Sequence, residues 1–503
     1  MRPNWCAASN WDSSNEIPPA NEVFAVNRPI VRLYGLVVLL FALLVAFTSR
    51  WTIFEASSLR GNPLNARALL EQERIDRGRI LAANGAVLAR SVRRAEGTYE
   101  RTYPKGEEFA NAIGYSYTNP GQSGLERFRN AALNGETSAT NLQAILDQLQ
   151  GKRQQGDEVF TTLEPKAQQT AITALGEHEG AVVALDPQTG AVEVMASTPS
   201  FNPNQMRTAA GAKRLERATG APLINRALQY GYAPGSTFKI VTATAALDTG
   251  QFTPESTLSG RNDIPISGVP LGNDNNESFG DITLTQALTQ SVNTVWAQVA
   301  VKLGKATMAR YMNRFGFDRE PQLDYPAKEM SASGEYLGEN LLAPRNERVD
   351  VGRMGIGQDK LRVTPLQMAE VAAAVANHGK LMVPHLTERI VDPEGRTVTQ
   401  ISPRVQSVVM KPSTAAAVTG MMEAVVREGT GTPAQIPGVQ VAGKTGTAET
   451  QIGTSINNAW FIAFAPAADP RVANAVSVKG VSGYGATFAA PVAKQVMEVL
   501  LHD

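Results

Sequence analysis

Residues 180–196 read GAVVALDPQTGAVEVMA, two apolar runs separated by a five-residue turn. The runs at 181–185 and 191–196 are apolar or alternate apolar with polar residues, as strands do. Between them, residues 186–190 contain Asp, Pro and Gly, which are typical of tight turns. The segment therefore predicts a β-hairpin of two antiparallel strands.

Further along the chain, helix-length patterns alternate with a second pair of strands. The strands, at 459–464 and 471–478, flank a turn at 466–470. The helical patterns lie at residues 164–175, with Thr162 as a candidate cap, and at 237–247, 292–303, 365–377, 413–427 and 491–501. Strand pairs with tight turns and separate helices predict an α+β fold in which helices pack against an antiparallel sheet.

Composition excludes several classes of function. The chain of 503 residues has 47 Lys and Arg against 47 Asp and Glu, so no overall positive field exists to hold a phosphate backbone. We therefore expect no nucleic acid as a partner. The only cysteine, Cys6, excludes internal disulfides and a Cys-based zinc site, and none of the four histidines forms a metal-type pair. We expect no metal and no cofactor, and hydrolytic or acyl-transfer chemistry would need something other than a Ser-His pair.

One apolar segment near the start of the chain predicts a membrane anchor. Residues 33–49, LYGLVVLLFALLVAFTS, carry no charge and would span about 26 Å as a helix, just enough for a bilayer. A cleaved signal peptide and a buried core helix are the alternatives. No small-residue cleavage site follows at once, which is evidence against the signal peptide. An apolar stretch with no polar face so near the N-terminus has nothing local to bury it, which is evidence against the core helix. Arginines on both sides leave the orientation undecided by charge.

The predicted organisation has four parts. Residues 1–28 form a tail, 29–50 the anchor, 51–157 a small mixed accessory domain and 158–503 the larger α+β domain. Residues 1–25 are acidic and without periodicity, whereas 27–32, NRPIVR, form a compact basic stretch. This suggests that the natural chain starts at Val26 and that residues 1–25 are not native.

Ser236-Thr237-Phe238-Lys239 follows Pro234-Gly235 and opens an apolar helical pattern. Residues three apart share a helix face, so Lys239 can approach the Ser236 hydroxyl. A desolvated lysine loses its proton easily and can act as the base that the missing histidine would otherwise supply. The plainer interpretation is a serine N-cap followed by an exposed lysine.

Two further segments carry candidate site residues. Ser291-Val292-Asn293 lies 55 residues after Ser236. Residues two apart do not share a helix face, so Ser291 and Asn293 can converge only if both precede the predicted helix. The alternative is that they only cap that helix. Lys444-Thr445-Gly446-Thr447 follows a strand-like approach. Gly443 and Gly446 would let a peptide backbone come close to a sheet edge, and Lys444 with the two threonine hydroxyls could hold a carboxylate. A bulged edge strand would explain the same pattern.

Together, S-x-x-K, S-x-N and K-T-G-T in this order resemble the penicillin-recognising serine transpeptidases. Their surroundings are similar to the same family along residues 77–80, 124–126 and about 159–500. The matching stretches are Gly180-Ala181-Val182-Val183-Ala184-Leu185-Asp186-Pro187, Tyr232-Ala233-Pro234-Gly235, Gly355-Ile356-Gly357-Gln358, Thr364-Pro365-Leu366-Gln367-Met368-Ala369 and Trp460-Phe461. The chain has too few residues before 158 for a glycosyltransferase domain. It resembles a monofunctional class B penicillin-binding protein, most like the actinobacterial penicillin-binding protein A group. Two departures are Asn84-Gly85, where an aspartate-containing turn is common, and Asp359, where glycine is common.

The resemblance implies a β-lactamase/transpeptidase-like fold and a reaction. Ser236 would attack the carbonyl between the two terminal D-alanines of a peptidoglycan stem peptide, and Lys239 would take its proton. Ser291 would relay the proton to the leaving amine with Lys444 tuning the charge, while Asn293 holds the substrate amide. The backbone N–H groups of Ser236 and Thr447 would form the oxyanion hole, with Thr445, Gly446 and Thr447 binding substrate.

The resemblance also implies partners and a location. An amine of a neighbouring stem would resolve the acyl-enzyme, and β-lactams would block it. A membrane glycosyltransferase is an expected partner. The protein would be a single-pass protein of the bacterial cell membrane, with a cytoplasmic tail, a dimerisation-like accessory domain and an extracytoplasmic transpeptidase domain.

Two other functions use the same features. A β-lactamase or D,D-carboxypeptidase shares the three motifs, although no E-x-x-x-N pattern lies between the second and third of them as in class A β-lactamases. A catalytically silent membrane scaffold fits the anchor but leaves the Ser236, Lys239 and Lys444 set without a purpose.

Overall fold

The computed structural model describes residues 20–50, 73–94, 97–136, 155–449 and 456–502, with side chains from residue 30 onward. Residues 1–19, which carry most of the predicted tail and the start-site hypothesis, lie outside the described residues, as does the 51–72 part of the accessory segment. Contacts divide the chain into one unit of residues 1–65 and a second of residues 66–503.

In the first unit, the described residues 20–50 contain a long helix, Ala20–Ser49. Its part from Ile30 to Ser49 is 20 residues long and apolar enough to cross a membrane. None of that part is buried, and apolar side chains such as Leu39 and Phe41 are more than half exposed. The helix begins nine residues before the predicted anchor at 29–50, and the apolar part matches the prediction.

In the second unit, a five-stranded antiparallel sheet, here called the central sheet, contains the predicted hairpin. Its strands, in spatial order, are Ala442–Glu449, Asn457–Ala465, Val472–Val481, Gly180–Leu185 and Val192–Thr198. The first of these is an edge strand, and its pairing with its neighbour runs without a bulge. In the hairpin turn, Asp186 accepts hydrogen bonds from the Gln188 N–H and the Thr189 hydroxyl. Both predicted strand pairs are confirmed, and each strand is longer than its apolar run.

Helices cover both faces of the central sheet, which is why its strands are apolar on both sides. Helices Pro165–Leu175 and Ala490–His502 pack on one face with Val182, Val476 and their neighbours. The other face lies against helices Lys239–Asp248 and Pro365–Ala376, and this core extends into the accessory segment. The remaining longer helices are Ala209–Glu216, Leu284–Thr289, Asn293–Arg314 and Pro412–Glu428. The predicted Thr162 cap is wrong: that hydroxyl donates to the Val192 carbonyl, and the helix starts at Pro165 without a side-chain cap.

A second, six-stranded sheet joins the accessory segment to the larger region. Its order is Thr397–Gln400, Thr387–Val391, Glu158–Thr161, Ile80–Leu81, Val87–Arg93 and Tyr99–Thr102. Two of these strands come from residues near 390, far along the chain from the other four. Short helices Ala110–Ile113, Gly124–Phe128 and Asn130–Leu133 complete the accessory segment, and small two- or three-stranded sheets occupy its loops and those of the larger region. The domain boundary near residue 157 stays a prediction, because this sheet continues across it.

A buried ionic cluster stabilises the accessory segment. The Glu126 carboxylate accepts hydrogen bonds from Arg77 Nε at 2.8 Å, Arg101 Nε at 2.6 Å and the Tyr103 hydroxyl at 3.1 Å. All four side chains are almost fully buried. Burial raises the pKa of Glu126, but Arg101 and Arg77 outweigh it and hold that pKa below its usual value. The carboxylate is therefore ionised and compensates two buried guanidinium groups.

Removing this carboxylate tests its structural role. We expect E126A to lower the free energy of unfolding by about 3–5 kcal/mol, because two buried arginines lose their partner. The measurement is urea unfolding of the detergent-solubilised chain. As a control, E428A removes an exposed partner of Arg427, and its effect is expected to stay below about 1 kcal/mol. A similar small loss for both variants would contradict this role for Glu126.

Candidate active site

Ser236 lies in a tight turn at the start of a buried helix. Residues Gly235–Phe238 form a 3₁₀ turn that continues directly into the α-helix Lys239–Asp248. The predicted helix at 237–247 is confirmed apart from this tighter first turn. Gly235 has a φ of +53°, and a Cβ there would lie 2.5 Å from the Thr447 carbonyl oxygen. A glycine is required here, and its absent side chain lets the backbone before Ser236 pack against Thr447.

The Lys239 side chain is fully buried and contacts the second motif. Its Nζ donates to the Ser291 carbonyl and to Asn293 Oδ1, both at 2.7 Å, and lies 3.3 Å from Ser291 Oγ. No hydrogen bond joins Lys239 to the Ser236 hydroxyl among the described residues, although the sequence predicted that contact. Such catalytic contacts are often long in the absence of substrate, so this geometry does not exclude proton transfer between them.

Ser291 adopts a left-handed conformation, with a φ of +59°, directly before the helix Asn293–Arg314. This conformation is uncommon for a residue with a side chain and persists where the surrounding structure enforces it. The helix begins at Asn293 itself, so only Ser291 precedes it, whereas the sequence analysis placed both polar residues before it. The turn nevertheless brings Ser291 and Asn293 to the same lysine.

The K-T-G-T segment forms the edge strand Ala442–Glu449 of the central sheet. The fully buried Lys444 Nζ donates to Ser291 Oγ at 3.0 Å and to the Thr445 carbonyl at 2.9 Å. A Cβ at Gly446 would lie 2.6 Å from the Pro234 carbonyl oxygen. The glycine therefore admits the chain's own turn before Ser236 rather than a substrate backbone, which corrects our reason for it.

The two lysines differ from ordinary surface lysines in their protonation. Burial lowers the pKa of Lys239 to about 7, against an opposing effect of Asp274. Burial, together with the charge on Lys239, lowers the pKa of Lys444 well below its usual value, and Asp274 again opposes the shift. Near neutral pH a substantial fraction of Lys239 is uncharged and able to accept a proton.

The first and third motifs and Ser291 line a cleft with a volume of about 310 Å³. Ser236, Ser291, Thr445, Gly446 and Thr447 lie on its wall. Asn293, Lys239 and Lys444 lie behind Ser291 and contact it or each other through hydrogen bonds. In the described part of the chain, no group of three His, Cys, Asp or Glu side chains is arranged to hold a metal ion. Every predicted site residue is thus on the cleft wall or directly behind it.

The structure adds residues that the sequence analysis missed. Asp274 accepts a hydrogen bond from Asn293 Nδ2 at 3.1 Å, and the Thr430 hydroxyl lies 2.7 Å from that of Thr445. The Tyr484 hydroxyl donates to Asn275 Oδ1 at 3.4 Å, and both residues line the cleft. Asp274 lies in the loop sequence LGNDNNESFG, whose run of Asn and Asp is the one signal that could have indicated it. The positions of Thr430 and Tyr484 have no such signal.

Comparison with known proteins decides the family. The family described as the penicillin binding protein transpeptidase domain matches residues 180–498, which contain all three motifs. The chain belongs to this family. A second family, the penicillin binding protein A dimerisation domain, matches residues 77–159.

Individual relatives of this family cover nearly the whole chain. The peptidoglycan D,D-transpeptidase PbpA of Mycolicibacterium smegmatis is 34% identical over 95% of this chain and 100% of its own. The protein of the same name from Mycobacterium tuberculosis is 33% identical over 95% of this chain and 99% of its own. The solved structure of penicillin-binding protein A from M. tuberculosis, a ceftriaxone acyl-enzyme complex, has a TM-score of 0.77 at 32% identity, covering 86% of this chain and 100% of that one.

These matches confirm the predicted fold class and the resemblance to the penicillin-binding protein A group. They also confirm the predicted reaction class, a serine-type D,D-transpeptidase that β-lactams inhibit. The two departures from the family pattern fit the local backbone. Asp359 has a φ of +68°, a conformation that aspartate tolerates better than most residues, and its carboxylate accepts the Asp350 N–H. Asn84 forms an Asx turn with the Ala86 N–H.

Gly357 supports the turn that carries Ser236 and offers a test of that support. The Gly235 N–H donates to the Gly357 carbonyl at 3.0 Å, and a Cβ at Gly357 would lie 1.9 Å from the Gly235 carbonyl oxygen. We expect G357A to displace the turn and to slow acylation by a fluorescent penicillin by at least about tenfold, since small misplacements of a nucleophile are costly. The measurement is the second-order acylation rate.

Gly395 provides a matched control for this substitution. Its φ is +83°, close to the +78° of Gly357, but a Cβ there would meet nothing within 4 Å. G395A therefore introduces the same backbone strain without the clash and should acylate at the wild-type rate. Equal acylation rates in G357A and wild type would show that the turn does not depend on this contact.

Proposed function

We propose that this protein cross-links peptidoglycan stem peptides through an acyl-enzyme on Ser236. The roles of the residues are assigned from one observation: the buried Lys239 and Lys444 both contact the hydroxyl of Ser291 beside the open cleft. Ser291 Oγ is 3.0 Å from Lys444 Nζ and 3.3 Å from Lys239 Nζ, and Ser236 lines the same cleft. The relatives named above are peptidoglycan D,D-transpeptidases, which supports the stem peptide as substrate.

Lys239 acts as the base in the first step. Its two short hydrogen bonds go to the Ser291 carbonyl and Asn293 Oδ1, which can only accept. In the uncharged amine both hydrogens are thereby used, and the lone pair is left for a hydroxyl hydrogen. As the Ser236 Oγ bonds to the carbonyl carbon between the two terminal D-alanines, its proton passes to Lys239.

Ser291 completes the proton transfer. Once Lys239 has taken up the Ser236 proton, the Ser291 oxygen can accept from both lysines, so its own hydrogen is free to be donated into the cleft. When the carbon–nitrogen bond breaks, this hydrogen goes to the leaving D-alanine amine, and the Lys239 ammonium returns a proton to Ser291, which leaves Lys239 uncharged again. The amine of a second stem peptide then attacks the acyl-enzyme by the reverse sequence of proton transfers.

Backbone and hydroxyl groups hold the substrate. The contact of Gly235 with Thr447 supports an oxyanion hole formed by the Ser236 and Thr447 N–H groups, and such donors are each worth roughly 3 kcal/mol of the barrier. The donor peptide pairs with the open side of the edge strand Ala442–Glu449. Thr445 and Thr447 bind its terminal carboxylate through their hydroxyls.

Labelling with a fluorescent penicillin tests the nucleophile and separates the alternatives. We expect the wild-type chain to stay labelled for a long time and S236A to lose the label, because no acyl-enzyme can form. S402A, which changes an exposed serine, is the control and should label normally. Rapid loss of label from the wild type would indicate a β-lactamase, no label at all a scaffold, and labelled S236A a different nucleophile.

The location follows from the N-terminal helix. Its apolar part, Ile30–Ser49, fits a single-pass anchor at residues 29–50. We propose that residues 1–28 are cytoplasmic, that 51–157 form the accessory domain, and that the transpeptidase domain at 158–503 lies on the extracytoplasmic side, where peptidoglycan is. A membrane glycosyltransferase that polymerises the glycan strands is the proposed partner.

Reporter fusions and co-purification test this arrangement. A phosphatase that is active only outside the cytoplasm should be active when fused after residue 503, and a fluorescent protein that matures only inside should stay dark there. A glycosyltransferase should co-purify from membranes with the wild-type chain. A bright C-terminal fluorescent fusion would reverse the proposed orientation.

A further inference from the structure

The loop at residues 273–277, about 20 positions earlier in the chain, docks onto the start of the helix that follows Ser291. Helix Asn293–Arg314 has no side-chain cap of its own, because Val292 precedes it. Asn273 replaces the cap: its Oδ1 accepts the Thr294 N–H at 3.0 Å, one of the N–H groups without a partner inside the helix. The Asn273 Nδ2 in turn donates to two carbonyls of its own surroundings, Gly260 at 2.9 Å and Glu277 at 3.0 Å. The loop is thus held rigidly against the S-x-N motif.

The next residue of this loop, Asp274, reaches the motif itself. Its Oδ1 accepts a hydrogen bond from Asn293 Nδ2 at 3.1 Å, while Asn293 Oδ1 accepts from Lys239 Nζ at 2.7 Å. A carboxylate can only accept, so it selects the NH₂ side of the Asn293 amide. The oxygen side of that amide must then face Lys239.

The orientation of this amide matters for the base. If the amide were reversed, its NH₂ group would face Lys239 and would need the lone pair of the uncharged amine as its acceptor. That lone pair would no longer be available to Ser236. Asp274 therefore acts on the lysine through Asn293.

The loop backbone that places Asp274 adopts an energetically unfavourable conformation. Asn275 and Asn276 both have left-handed φ values, +55° and +56°. Left-handed residues other than glycine are unfavourable and persist where their surroundings enforce them. Together with the contact between Asn275 and Tyr484 across the cleft, this conformation presents the Asp274 carboxylate to Asn293.

The charge of Asp274 acts in the same place. It is the carboxylate that opposes the lowering of the Lys239 and Lys444 pKa values, and Lys239 itself lowers that of Lys444. The other carboxylate on the cleft wall, Glu277, is exposed to solvent. Removing the negative charge at Asp274 should therefore lower the pKa of Lys239 below about 7.

We propose that Asp274 is a positioning residue for acylation, which orients the Asn293 amide towards Lys239 and places a negative charge near it. The proposal rests on the proposed function, with Ser236 as nucleophile and Lys239 as its base. The loop at 273–277 lies outside the three sequence motifs, and the proposal gives it a role in the reaction.

The test is the pH dependence of acylation in two variants of the full-length chain. The second-order rate constant for a fluorescent penicillin is measured on both sides of the Lys239 pKa of about 7, for wild type, D274N and D274A. D281N, which removes an exposed carboxylate seven positions later that does not line the cleft, is the matched control. Because Asp274 is also exposed, unfolding temperatures should stay close to wild type in all variants.

The two variants separate orientation from charge. An asparagine at 274 can still accept the Asn293 hydrogen bond, so the acylation rate constant of D274N at high pH, where it no longer rises with pH, should stay within about threefold of wild type. The pH at which this rate constant rises should be lower than in wild type by roughly 1 unit, because the negative charge is lost. D274A loses the acceptor as well, and its plateau should fall about tenfold, since only the Gly272 carbonyl, at 3.5 Å, is then left to accept from the Asn293 NH₂ group. D281N should match wild type in both respects.

Two results would overturn the proposal. One is that the acylation rate constant of D274N rises at the same pH as that of wild type, and the other is that D274A reaches the wild-type rate constant at high pH. If D274A did not fold, the pH at which the acylation rate constant of D274N rises would be the deciding measurement. Failure of the proposed function is a separate outcome, because it would appear as labelled S236A or an unlabelled wild type, whatever Asp274 does.

Discussion

Two lysine side chains are buried against one serine hydroxyl, and the rest of the site depends on how this is tolerated. Two full positive charges cannot share a dry site at this distance without large cost in desolvation and repulsion. Burial therefore lowers the pKa of both amines, and Lys239 is brought to about 7, near the pH at which a cell works. The acceptors around the amines, the Ser291 and Thr445 carbonyls and Asn293 Oδ1, use their hydrogens. A weakly basic, fully buried lysine is the result, and it takes the place of the histidine that other serine enzymes use.

Keeping these groups together is the task of the central sheet. Lys444 projects from its edge strand, while Ser236 and Lys239 belong to a helix packed on its face and Ser291 to a loop before another helix. Glycine allows the close approaches: Gly446 admits the Pro234 carbonyl, and Gly235 admits the Thr447 backbone. The Trp460 indole, on the neighbouring strand, donates to the Ala233 carbonyl and fixes the chain just before the turn. The site is thus assembled on rigid elements, as precise catalytic geometry requires.

Much of this could be predicted from local patterns, and the exceptions share a cause. The hairpin at 180–198, the second strand pair and the longer helices were predictable because each buries apolar residues at a regular period. The three motifs were predictable because their residue types carry the chemistry. Details of backbone conformation were missed: the 3₁₀ turn at Gly235–Phe238, the start of the next helix at Asn293 and the missing cap at Thr162. These details depend on tertiary packing, and the hydrophobic period of the sequence does not indicate them.

The amino-acid sequence by itself determined the fold class, the apolar helix near its start and the residue types that do the chemistry, since hydrophobic period and motif spacing are local properties. Only the tertiary structure decided which groups touch. It turned Lys239 towards Ser291 and Asn293 rather than Ser236, joined strands near residue 390 to the accessory sheet and brought Asp274 to the S-x-N motif. Contacts between residues far apart in the chain depend on how complete elements pack, and neither composition nor spacing encodes that packing in a form that can be read one segment at a time.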